Sequence, residues 1–213
     1  MPKLSETQQE LRRTRLLDAA EHCFARAGFH ATTMQEIARA ARVSAGAAYV
    51  YFGSKEELIA GIAERDRQRI ATDFKAIEEA PDFLAALEHC VRYYLIEQPD
   101  HKRTLLVEMS AESTRNPAVA RSFRSVDLLV QDVFTRALKR QIAAGRLQPV
   151  HKLDRLVPML MVIGDGMFQR CATDPNFDAA RMLPAIMKTI AGMLGTSYTV
   201  PSRSAARRPR RRA

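Results

Sequence analysis

Glycine and proline are scarce in this chain, nine and ten among 213 residues. Few windows combine β-branched residues with period-2 alternation, so sheet architectures are disfavoured and an all-α fold is expected. Cysteine is scarcer still. Cys23, Cys90 and Cys171 are odd in number, widely spaced and set in helical contexts, which suits buried reduced thiols and not a disulfide framework. No apolar signal region follows the opening MPKLSETQQE, and no apolar run approaches membrane-spanning length. A cytoplasmic protein with no membrane partner is therefore expected. There is also no Ser-His-Asp order, no phosphate-cradling glycine loop and no metal-ligand cluster. His22-Cys23 and His89-Cys90 are no exception, because adjacent helix positions diverge by about 100° around the axis. Neither an enzyme nor a cofactor or metal site is expected.

What is present is an ordinary globular composition, 46% hydrophobic and 27% charged. The formal net charge of +9 is concentrated at one end: the segment 203–213, RSAARRPRRRA, supplies six arginines and no acid. The rest of the chain carries +3. Like-charge repulsion, Pro209 and low apolar content predict a disordered Arg-rich tail over 199–213. It either raises non-specific DNA affinity through counterion release or is a solvated end; it is assigned no specific site.

The most informative stretch is Thr33 to Lys55, TMQEIARAARVSAGAAYVYFGSK. Thr33 as N-cap with Glu36 three residues later forms a capping box. Ile37, Ala38 and Ala41 share a face with Met34 at helical spacing. The chain bends near Arg42-Val43, and Ser44 is an N-cap for a second helix carrying Ala45, Gly46, Ala47, Tyr49, Val50 and Tyr51. A further cap, Ser54 with Glu57, restarts the chain as another helix. Two short helices with small Ala38 at their approach form the pattern of a helix-turn-helix, whose second helix enters the DNA major groove. Upstream, 12–27 reads as an amphipathic helix with Leu16, Leu17, Ala20, Cys23, Phe24 and Ala27 on one stripe. Gly28 stops it in the αL region, and Phe29 tucks beneath the next helices.

These residues resemble the DNA-binding signature of the TetR (tetracycline-repressor) family of transcriptional regulators. The matching positions are Thr33, Ile37, Ala38, Ala41, Val43, Ser44, Gly46, Tyr49, Tyr51, Phe52 and the run Ser54-Lys55-Glu56-Glu57-Leu58; the likeness extends from about Arg12 to Leu58. One position departs: the family usually places glycine in the turn where this chain has Arg42. The resemblance implies an N-terminal three-helix helix-turn-helix domain and a C-terminal helical ligand-binding and dimerisation domain. The boundaries expected are 1–10 for a flexible arm, 11–56 for the DNA-binding domain, 57–198 for the effector-binding and dimerisation domain, and 199–213 for the tail. Double-stranded DNA is the implied partner. Thr33, Ser44, Tyr49, Tyr51 and Lys55 are phosphate-contact candidates, which fix register without reading sequence. Ala45, Gly46 and Ala47 permit close backbone approach, Val50 offers apolar contact to a thymine methyl, and Gln35 is the candidate for direct base readout.

Beyond Lys55 a helix to about residue 80 has no break before Pro81, which suits it to link the DNA-binding domain to the C-terminal helices and to act as a lever. Further helices are predicted over 82–97, 102–114, 117–144, 153–172 and 178–195, punctuated by Pro99, Pro117, Gly145, Pro149 and Pro175. The last two are apolar nearly all round, more than one buried face requires. By the resemblance, they form a homodimer interface. The resemblance further implies a pocket for an unknown small-molecule effector. Its candidate lining is Phe83, Tyr93, Tyr94, Met109, Glu112, Phe123, Met161, Asp165 and Phe168. Asp165 lies between two glycines in an apolar helix and needs a partner, either protein groups at a dimer seam or a ligand. The function expected is a dimeric, effector-released repressor at a pseudo-palindromic operator; the alternative is a constitutive helix-turn-helix protein without a ligand switch.

Overall fold

The computed structural model describes residues 5–199, and its regular structure there is helical throughout, with no strand. The chain runs α1 (Glu6–Ala31), α2 (Met34–Ala40), α3 (Ala45–Tyr51), α4 (Lys55–Glu79), α5 (Phe83–Arg92), a π turn (Tyr93–Glu97), α6 (Asp100–Ser113), α7 (Pro117–Ala143), α8 (Leu153–Thr173) and α9 (Ala179–Met193). No helix among the described residues is long and apolar enough to cross a membrane. The Arg-rich segment from residue 200 onward and residues 1–4 lie outside the described residues.

The arm expected over 1–10 is cut short. Ser5 Oγ accepts from the Gln8 N–H at 3.3 Å, and the Gln8 side chain accepts from the Ser5 N–H at 3.2 Å. This reciprocal cap starts α1 at Glu6, well before the amphipathic stripe begins. Gly28 does break the helix, but differently from expectation. Its φ is positive (+80°) while ψ is extended (164°), so one further turn runs to Ala31 before Thr32. The Thr32 hydroxyl lies within bonding distance of the Cys23 carbonyl (3.1 Å) and the Gly28 carbonyl (2.8 Å), tying the two sides of the break together.

Two cores form. The first gathers Leu16, Leu17, Phe24, Phe29, Ile37, Ala48, Phe52 and Leu58 with Leu105, Met109 and Val119 from α6 and α7. The second gathers Phe74, Ile77, Phe83, Leu87, Phe134, Leu138, Leu156, Leu183, Met187 and Leu194. Helix α4 contributes to both cores and packs along α7, while α1 lies on α6. At Gly61 a Cβ would stand 2.9 Å from Leu17 Cδ2 and 3.0 Å from Phe52 Cε1. Only glycine lets α4 approach α1 and the end of α3 this closely.

Candidate nucleic-acid interface and effector cavity

The geometry of α2 and α3 is set by their caps. Thr33 Oγ1 accepts from the Glu36 N–H (3.2 Å), and the Glu36 carboxylate accepts from the Thr33 N–H (2.8 Å). These bonds hold the Glu36 carboxyl below its ordinary pKa. At the other end, the Val43 N–H donates to the Ala38 carbonyl (3.0 Å) across Arg42, whose φ is +58°. This is a six-to-one helix closure with its left-handed residue at Arg42. Among the described residues Arg42 is the one non-glycine with positive φ, so the chain keeps the conformation for which glycine is better suited. Val43 packs onto the first core behind the turn.

Ser44 Oγ then accepts from the Ala47 N–H at 3.2 Å and starts α3. Within α3 only Ala48 is buried. Tyr49 is 51% exposed and Val50 83% exposed, large apolar surfaces turned to water. Gly46 and Ser44 are exposed as well, and a Cβ at Gly46 would meet nothing within 4 Å. The absence of a side chain there serves no contact within the chain. Ala45, Ala47 and Tyr51 are half-buried, and Tyr51 packs against the first core. Gln35 and Thr33 are exposed at the start of α2, close in sequence to the same surface.

Lys55 is engaged elsewhere. Its ammonium donates to the carbonyl of Phe29 (2.5 Å) and of His30 (3.3 Å), and sits 4.5 Å from the centre of the Phe29 ring. It therefore ties the start of α4 to the broken end of α1. The expected second capping box is displaced too: Ser54 Oγ accepts from the Glu57 N–H, but the Glu57 carboxylate accepts from the Gly53 N–H at 2.7 Å.

Behind this surface lies a seam that sequence reasoning missed. Glu21, 2% exposed, faces inward from α1. It accepts from Arg65 of α4 and from Lys102 of α6, the latter at 2.5 Å; His101 Nε2 stands 3.8 Å away. The Arg65 guanidinium also binds Asp18 at 2.7 Å. Further along, Glu108 accepts from the Phe29 N–H at 2.7 Å, in the space left by Gly28, where a Cβ would stand 3.1 Å from its oxygen. Glu112 receives Arg115 (2.7 Å) and His30 (2.9 Å). The available signal was Glu21's position, four residues after Leu17 and three before Phe24, on the apolar stripe of α1.

The C-terminal helices enclose a cavity of about 290 Å³. It is walled by α4, α5, the π turn and α6 to α9, mostly with Ile, Leu, Val, Met and Phe. The π turn was not anticipated. Its wide i→i−5 closure, Gln98 N–H to the Tyr93 carbonyl (3.0 Å), accompanies a wall in which Tyr94, Leu95 and Gln98 all take part. Of the candidate lining, Tyr94, Met109, Phe123, Met161, Asp165 and Phe168 border the cavity. Tyr93, Glu112 and Phe83 do not: Tyr93 stands edge-on to Tyr94 outside the lining, Glu112 is held in the seam, and Phe83 fills the second core. The Tyr94 hydroxyl donates to Asp73 (2.8 Å), and burial, then that carboxylate, pushes its pKa up.

On α8 and α9 the inward residues Leu156, Leu160, Leu183, Met187 and Ile190 are buried. The opposite side leaves Met159, Val162 and Met182 exposed, with small Gly166, Ala185 and Gly192 also at the surface. Val162 is 70% exposed.

Comparison with known proteins fits this geometry. Residues 16–62, spanning most of α1 through the start of α4, match the model of "Bacterial regulatory proteins, tetR family". The chain is 29% identical over 192 residues to the HTH-type transcriptional regulator UidR of Escherichia coli strain K12, covering 90% of this chain and 97% of that one. The solved structure of Salmonella enterica GusR superposes with a TM-score of 0.75 at 27% identity, over 91% of this chain and 99% of that chain. A complex of SmeT with triclosan shares the fold, with a TM-score of 0.75 at 21% identity, 90% of this chain and 97% of that chain. The likeness thus extends from the capped helices and their outward α3 surface to nearly the whole length of these regulators, and residues 16–62 are a segment of the tetR family of bacterial regulatory proteins.

Proposed function

We propose that the protein is a homodimeric, effector-released repressor of a pseudo-palindromic operator, acting in the cytoplasm where the DNA is. The observation that carries this reading is α3, which leaves Tyr49 and Val50 exposed and Gly46 open to an outside body. In a helix-turn-helix protein, that is the surface set against the major groove. Residues 11–56 form the reading domain and 57–198 the effector-binding and dimerisation domain. The small residues Ala45, Gly46 and Ala47 admit the duplex closely, Val50 offers a methyl contact, and Gln35 reads a base edge. Thr33, Ser44, Tyr49 and Tyr51 hold phosphates. Lys55 joins them by exchanging its Phe29 and His30 carbonyls for a phosphate, or by holding the end of α1 in place beside one.

A single helix-turn-helix discriminates weakly, and a two-fold pair reads two half-sites. The exposed apolar side of α8 and α9 is the surface that would join two copies, burying Met159, Val162 and Met182. The cavity supports an effector-responsive reading over a constitutive one. Its walls include seven residues of α4, the helix that also carries Arg65 of the seam. A ligand that favours one position of α4 shifts the reading heads with a coupling of about 1–3 kcal/mol.

Selection of bound fragments from random DNA, followed by footprinting, tests the reader. The expected outcome is a two-fold symmetric site, with Gln35→Ala relaxing preference at one base per half-site by about 1–3 kcal/mol. A site without symmetry, or no selection at all, would count against the dimeric reader.

A further inference from the structure

The charged residues of the cavity lining fall into two groups that differ in charge balance. Asp66, Arg69 and Lys102 have charge partners: Arg69 pairs with Asp66 at 3.0 Å, its Nε alone lacking a hydrogen-bond partner, and Lys102 pairs with Glu21 at 2.5 Å. The second group is Asp127 of α7, half-buried, and Asp165 of α8, which is exposed at the rim. Asp127 accepts one hydrogen bond, from the Gln131 side chain at 2.7 Å, and meets no cation among the described residues. Asp165 meets neither a donor nor a cation among them. The arginines close in sequence, Arg124 and Arg170, are exposed and pair with neither carboxylate. Both acids line the same cavity, and partial burial and then the charge of Asp127 push the Asp165 carboxyl up.

Each acid also has an aromatic ring one turn away on its own helix that lines the same cavity. Phe123 stands four residues before Asp127, and Phe168 three residues after Asp165. The remaining wall is aliphatic. Two carboxylates without a cation partner and two rings in a mostly apolar lining supply what an entering cation needs: opposite charge and aromatic surface, with Lys102 and Arg69 already engaged by Glu21 and Asp66. An anion would meet repulsion there, and a purely apolar ligand would leave both acids unmatched.

We propose that this cavity takes a lipophilic organic cation, an amine or quaternary ammonium on an apolar body, whose charge is held between Asp127 and Asp165 and flanked by Phe123 and Phe168. The inference rests on the reading of the cavity as the effector site. Its volume, about 290 Å³, suits a small drug-sized molecule.

The test is calorimetric titration of the full chain with three probes of similar size: benzyldimethylhexylammonium, neutral N-hexylbenzamide and anionic 4-hexylbenzoate. The cation is expected to bind about tenfold or more tightly than the neutral probe, with the anion weakest. In the Asp127→Asn, Asp165→Asn double variant that preference is lost, while the neutral probe binds as before, showing that the cavity is intact. Equal or tighter binding of the neutral or anionic probe overturns the inference. So does a preference that survives in the double variant, or binding by none of the three. Operator release, followed by fluorescence anisotropy with the selected DNA, separates this inference from the reading beneath it. Carboxylate-dependent cation binding without release leaves the inference standing and removes the effector role. Release by the neutral or anionic probe, with no preference for the cation, keeps the effector role and removes the inference.

Discussion

The seam between the reading helices and α6 and the cavity between α4 and α8 treat their acids in opposite ways. In the seam Glu21, Glu108 and Glu112 each receive an N–H or a cation from another helix or from the break in α1. In the cavity Asp165 receives none among the described residues. The hydrocarbon is divided in the same manner, for Phe24 and Leu16 in the first core are fully enclosed, whereas Phe123, at that core's margin, is half-buried and borders the cavity. A region filled and neutralised from within is built to hold its shape. A region left hollow and charged gives up stability, because unmatched, partly desolvated charge and empty volume both cost it, and on the proposed reading an effector restores the balance.

The widest separation between the two regions should appear on truncating an aromatic in each. Phe24→Ala is expected to destabilise by about 4 kcal/mol, while Phe123→Ala, half-buried between the first core and the cavity, should cost about 2 kcal/mol. Urea unfolding midpoints at constant slope measure both, and equal losses would erase the contrast between packed and hollow. Next in size is Glu21→Gln, expected to cost about 2 kcal/mol. The loss is moderated because Arg65 keeps Asp18 and Lys102 retains some access to water. A neutral result by the same unfolding assay would mean that the seam gains nothing from its charge matching. Arg42→Gly should stabilise by up to about 1 kcal/mol by relieving the left-handed residue, read as a rise in melting temperature. A fall would show that the Arg42 side chain contributes more than its backbone strain removes.

The smallest effect is the one that depends on pH. The folded Asp165 pKa lies above the ordinary value, through partial burial and then Asp127, so the ionised acid opposes folding at neutral pH. That opposition disappears as pH falls through the folded pKa and below the unfolded value of about 3.9. Asp165→Asn should therefore raise the melting temperature at pH 7 and leave it nearly unchanged near the unfolded pKa. A melting-temperature gain that stays constant between the two pH values would remove the charge from the explanation.

How much of the fold and the site is legible in the sequence depends on the range of the interactions. The caps at Thr33 and Ser44, the left-handed demand at Arg42 and the restart at Ser54 involve residues within a few positions of one another, so the reading domain stands in the sequence almost complete. The long helix from Lys55 and the doubly apolar pair at the C-terminus are legible through periodicity. Partners 44 and 81 positions away are not: Glu21 finds Arg65 and Lys102 only after three helices have packed. Lys55 reads locally as one more basic residue beside DNA, and only the fold brings it to the Phe29 and His30 carbonyls. The π turn at Tyr93 escapes for a related reason, since its residues suit an ordinary helix equally well. Glu112 and Tyr93 were expected at the cavity because helical spacing gives a face of a helix without saying which neighbour covers it.

Glu21 carries one last consequence. A carboxylate shut away from water and gripped from two other helices behaves as a latch: a slight rotation of α4 against α1 strands a charge before solvent can reach it. Small excursions are thereby resisted, since any larger motion must wet Glu21, Arg65 and Lys102 together. If the proposed effector moves α4, such a latch would make the change abrupt, with little between the held and released settings.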